Sequence, residues 1–64
     1  MDYRKIIRDR RKEKGLSQEK LAGLIGISRP FMNEIENSKK KGPSVETLIK
    51  ICNELDIKMF HIED

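Results

Sequence analysis

The chain has 64 residues, a net charge of +3, 39% charged and 36% apolar residues, which suits one domain near the lower limit for folding without disulfides or metals. A single cysteine excludes an internal disulfide, and no apolar run approaches the roughly 18 residues of a membrane span. The N-terminal MDYRKIIRDRRKEK lacks the apolar core of a secretory signal, so the expectation is a soluble, cytoplasmic, all-α domain over residues 1–64.

Charge is unevenly spread. Residues 1–43 hold 12 of the 14 Lys and Arg against 6 acids, a balance of +6, whereas residues 44–64 carry −3. A cationic front with an anionic tail suggests an anionic partner for the front, although charge-rich helical surfaces produce the same composition without one.

Asp2 to Lys14 reads as the first helix. Tyr3, Ile6, Ile7 and the stem of Arg10 fall at helical spacing and form one apolar stripe. The cations around them (Arg4, Lys5, Arg8, Arg10, Arg11, Lys12, Lys14) read mostly as a solvated face. Gly15 ends this helix and Leu16 packs back on its last turn. Ser17 is a good N-cap for a second helix from Gln18 to about Ile25, with Leu21, Ala22 and Ile25 on one face. Gly23 interrupts it, either to permit a close approach or for no structural reason. Gly26 suits the left-handed residue that ends a helix, and Ile27 can plug the corner from inside. Ser28 then caps a third helix over about 28–36, where Pro30 is acceptable because the first turn has no N–H bond to lose. Met32 and Ile35 share its inner face. Two short helices joined by a glycine turn form a helix-turn-helix.

Ser38-Lys39-Lys40-Lys41-Gly42-Pro43 is a cationic loop. Ser44 caps a fourth helix to about Leu55, with Val45, Leu48, Ile49 and Cys52 expected on the core face, which makes Cys52 a small apolar residue and not a nucleophile. Asp56 ends that helix. Ile57 to Ile62 reads as a short fifth helix bringing Ile57 and Phe60 to the core.

The run Gly15-Leu16-Ser17-Gln18-Glu19, Leu21-Ala22, Gly26-Ile27-Ser28, Ile35-Glu36-Asn37 and Gly42 to Leu48 resembles the XRE-type DNA-binding family, the class of lambda and 434 repressors and Cro. The resemblance covers about residues 3–60 and implies a compact five-helix, lambda-repressor-like domain. It also implies that the third helix lies in the major groove of double-stranded DNA. Positions that would face bases are Arg29, Pro30 and Glu34, with Phe31 and Asn33 beside them. Gln18, Ser28, Asn37, Lys39, Lys40 and Lys41 would meet the DNA backbone, Gln18 also bracing the third helix. Arg11 and Glu36 match a structural ion pair of the family. The outer residues depart from the glutamine-rich surface of the best-known repressors, so no operator sequence carries over. Arg29 suits guanine, Asn33 suits adenine, and Pro30 offers only apolar contact. Phe31 either does likewise or packs on the domain, and Glu34 either accepts from cytosine or repels phosphate.

Family members bind inverted-repeat operators as dimers, so a homodimer is implied, formed in solution or only on DNA. Met59, Phe60 and Ile62 either supply its interface or complete the core. The competing function is a protein-binding module, such as an antitoxin or anti-activator. No enzyme, metal or cofactor is expected, because His61 and Cys52 make no ligand cluster or catalytic pair and no phosphate-cradling glycine loop is present.

Overall fold

The computed structural model describes residues 2–38 and 42–58. Among them are four helices and no strand: α1 (Tyr3–Glu13), α2 (Gln18–Ile25), α3 (Arg29–Asn37) and α4 (Val45–Leu55). Each begins at a side-chain cap. The carboxylate of Asp2 accepts from the N–H of Arg4, and the hydroxyls of Ser17, Ser28 and Ser44 accept from Lys20, Phe31 and Thr47. These bonds satisfy donors that a helix start otherwise leaves unpaired.

The ends of α1, α2 and α4 share one device. Gly15, Gly26 and Asp56 take left-handed φ values of 70°, 79° and 57°. The apolar residue after each, Leu16, Ile27 or Ile57, donates its N–H five residues back to Arg11, Ala22 or Cys52. The chain is thereby turned inward, so that Ile57 is buried and Leu16 and Ile27 pack against the core. Asp56 fills a position that usually favours glycine, and Lys14 Nζ reaches its carboxylate at 2.6 Å.

Ile7, Leu21, Met32, Ile51 and Leu55 are fully buried at the centre, with Ala22, Ile25, Ile35 and Cys52 around them. On α4 the expected face is corrected. Val45 and Ile49 are 69% and 42% exposed, and the inward stripe is Leu48, Ile51, Cys52 and Leu55. Both stripes have the same spacing, but the Ile57 tie and the bond from Arg10 Nη2 to Leu55 O, 3.0 Å, hold the second against α1. The five-helix count is not reproduced: Ile57 and Lys58 are non-helical, and the rest of the expected fifth helix, with Met59, Phe60, His61 and Ile62, lies outside the described residues.

Candidate nucleic-acid interface

Helix α3 has two unlike faces. Met32, Ile35 and Glu36 are buried, whereas Arg29, Pro30, Asn33, Glu34 and Asn37 are exposed. Positions 29, 33 and 37 recur every four residues, so these polar side chains form a stripe along the outside. Phe31 is 36% exposed, an apolar side chain open to solvent on the same helix. The cap is Ser28, which leaves Arg29 and Pro30 as the first two helical residues. Asn37 is the last residue of the helix, not the first beyond it, and its Nδ2 donates to Asn33 O at 3.0 Å. Lys39, Lys40 and Lys41 lie outside the described residues.

Behind the stripe runs a chain of polar contacts. Arg11 Nε and Nη2 donate to Glu36 Oε2 and Oε1 at 2.7 and 3.0 Å, a two-pronged pairing, while Nη1 donates to Leu16 O at 2.8 Å. The Glu36 side chain is 0% exposed and that of Arg11 is 9% exposed, so water does not screen the pair. Gln18 Nε2 donates to Glu36 Oε1 at 3.1 Å, and Gln18 Oε1 accepts from Asn33 Nδ2 at 3.2 Å. Chemistry fixes the direction of this relay. A carboxylate bonded to arginine can only accept, so Gln18 must turn its amide nitrogen inward and its oxygen outward to Asn33. Asn33 keeps its own oxygen and one N–H, the pair that matches the N6 and N7 edge of adenine. Among the described residues no buried side-chain polar atom lacks a partner.

Ties that no sequence pattern announces hold the platform. Arg4 Nη1 donates to Ser38 O at 2.9 Å, 34 residues away, and so fastens α1 to the exit of α3. Its guanidinium also pairs with Asp2 at 3.0 Å, and that hydrogen bond raises the Arg4 pKa above its ordinary value. Lys5 holds Asp9 at 2.7 Å and thereby lowers the pKa of that carboxylate. Burial pushes the Cys52 thiol up, consistent with an apolar packing role. No group of three or more His, Cys, Asp or Glu capable of holding a metal occurs among the described residues. In the same set, no helix is long and apolar enough to cross a membrane.

Two helices joined by Gly26, Ile27 and Ser28, with the second presenting its outer face from a rigid backing, define a helix-turn-helix protein. The family model described as helix-turn-helix matches residues 7–62, and the chain belongs to that family, the XRE-type class of the motif. The chain is 44% identical over 47 residues to the ImmF control region 10 kDa protein of Bacillus phage phi105, a match covering 73% of this chain and 51% of the phage protein. It is 33% identical over 58 residues to the HTH-type transcriptional regulator SinR of Bacillus subtilis, covering 91% of this chain and 52% of SinR. With the uncharacterized HTH-type transcriptional regulator y4dJ of Sinorhizobium fredii it shares 31% over 67 residues, 98% of this chain and 83% of that protein. The chain therefore spans about half the length of the first two relatives.

Proposed function

We propose that this domain, taken over residues 1–64, is a sequence-specific double-stranded DNA-binding regulator of transcription, most consistent with a repressor. The observation that carries the proposal is the outer stripe of α3, solvent-open along its length yet backed by a buried ion pair through Gln18 and Asn33. Family membership and the regulator names of its relatives support it.

Helix α3 enters the major groove, which is wide enough to admit a helix and displays a distinct donor and acceptor pattern for each base pair. Arg29 forks onto guanine, Asn33 pairs with adenine, and Pro30 and Phe31 meet apolar groups such as the thymine methyl. Glu34 either accepts from cytosine or rejects sites that bring phosphate near it. Gln18, Ser28 and Asn37 hold the backbone with neutral donors. Lys39, Lys40 and Lys41 add charge, each neutralised phosphate contributing about 0.9 to the slope of log affinity against log salt. Two copies occupy an inverted repeat, half-sites about one helical turn apart. The protein acts in the cytoplasm and by binding, with no catalytic step and no cofactor.

A protein-binding module is the second reading. It draws on three apolar side chains left in solvent, Leu24, Val45 and Ile49, at 49%, 69% and 42% exposure. Selection of bound duplexes from a random DNA pool at physiological salt separates the two. An enriched inverted repeat supports the regulator; no enrichment by a folded protein overturns it in favour of a protein partner.

A further inference from the structure

An open cleft of about 220 Å³ lies between α1 and the end of α3, lined by Asp2, Arg4, Lys5, Arg8, Glu36 and Asn37. Most of its charges are already matched. Asp2 pairs with Arg4, Lys5 with Asp9, and Glu36 with Arg11. Arg8 is the exception: it is half-buried and makes no hydrogen bond or ion pair among the described residues, acting on Asp9 only through its field. It stands one helical turn beyond Arg4, whose bond to Ser38 O fixes this side of α1 against the α3 exit. Asn37, on the opposite wall, spends one N–H on Asn33 O and keeps a second. A cleft whose lining includes one guanidinium without a partner among the described residues and an amide with an N–H to spare, its carboxylates Asp2 and Glu36 already paired, suits an oxyanion that accepts from both.

We infer that the cleft between α1 and α3 is a further backbone-phosphate site, with Arg8 its charged ligand beside Asn37. The inference rests on the DNA-binding reading and extends it, bringing α1 into contact with the duplex on the strand flanking the groove that α3 fills. Because the site is read by charge and not by base, Arg8 contributes to binding on any sequence.

The test is fluorescence anisotropy of a short labelled duplex of random sequence, titrated with the full chain over a series of salt concentrations. Arg8→Gln keeps the half-buried stem and removes the charge; Arg8→Lys restores it. Lys50→Ala removes one cation from α4, beside Gly23 and Leu24 and away from this cleft. Arg8→Gln should lower the salt slope by about 0.9, so that wild type loses about 3.5-fold more affinity than the variant between about 50 and about 200 mM salt. Arg8→Lys and Lys50→Ala should keep the wild-type slope. Arg8→Gln matching wild type, or Lys50→Ala losing as much slope as Arg8→Gln, overturns the site while leaving DNA binding intact. Wild type showing no salt-dependent affinity for the duplex overturns the DNA-binding reading and this site together.

Discussion

Replacing Arg11 by alanine is the most informative single perturbation of this domain. The substitution removes three hydrogen bonds, two to Glu36 and one to Leu16 O, and leaves a carboxylate whose side chain is 0% exposed. Among the described residues the side-chain hydrogen bond left to it is that of the neutral Gln18 amide, at 3.1 Å. Breaking a buried pair from one side costs about 3–5 kcal/mol, because the remaining charge keeps its desolvation penalty and loses its partner. A domain of 64 residues has a total stability of roughly 3–10 kcal/mol at about 0.05–0.15 kcal/mol per residue. The variant should therefore melt roughly 12–40 °C lower, taking about 4–8 °C per kcal/mol for a domain of this size. Lys5→Ala serves as the contrast, since the Lys5–Asp9 pair has side chains 68% and 47% exposed. Exposed pairs one turn apart on a helix contribute little, because solvent screens both charges. Urea titrations followed by far-ultraviolet circular dichroism measure both. An Arg11→Ala loss no larger than that of Lys5→Ala would show that water screens the buried pair and would refute the reasoning.

Gly23→Ala should stabilise the fold by about 1 kcal/mol, since helical alanine outranks glycine. A Cβ there meets nothing within 4 Å and the position is exposed; a lower melting temperature would count against this. Arg29→Ala should relax base preference when the selection is repeated, whereas Lys40→Ala should weaken all sequences about equally; equal effects would sink that division of labour. Asp56 has its pKa lowered by the hydrogen bond from Lys14 and then by the charges of Lys14 and Arg10. A depressed carboxylate contributes stability above its unfolded value, near pH 4, and loses it as pH falls through the folded value. Asp56→Asn keeps a residue that tolerates φ 57°, so its deficit against wild type should be visible at neutral pH and shrink below about pH 4. A deficit independent of pH would assign it to the backbone instead.

The caps of α2 and α3 and the stop of α2 were legible because serine and glycine act locally: a hydroxyl three residues before an orphan N–H, or a missing Cβ where φ must be positive, needs no tertiary information. The α4 face was not legible. Val45, Leu48, Ile49 and Cys52 have the same spacing as Leu48, Ile51, Cys52 and Leu55, and periodicity ranks them equally. What separates them is long-range: α1 and α2 pack on the second set and leave Val45 and Ile49 in solvent. Arg4 and Arg10 were unreadable for a related reason. In a helix so rich in cations, nothing local marks the two that reach the backbone of Ser38 and Leu55. The pairing of Arg11 with Glu36 came from resemblance alone, because 25 residues separate partners that composition cannot connect.

That pairing poses a question of purpose that stability alone does not answer. Buried ion pairs can often be replaced by apolar residues of similar size with no loss, or with a gain of about 1–4 kcal/mol. A methionine and a leucine in place of Arg11 and Glu36 would fill the same space without the cost of desolvating two charges. They would not offer an acceptor to Gln18. In the native domain the Glu36 carboxylate holds the Gln18 amide, which in turn holds Asn33 on the outer stripe of α3. The double variant Arg11→Met with Glu36→Leu should therefore keep or exceed the wild-type melting temperature while Gln18 and Asn33 lose their fixed orientation. On DNA, affinity for random sequence should be nearly unchanged, and the enrichment of adenine opposite Asn33 should fall. A double variant that is stable and equally selective would refute the relay and leave the ion pair as packing. A variant that is stable and less selective would show a buried charge acting as a positioning device for the surface that reads DNA.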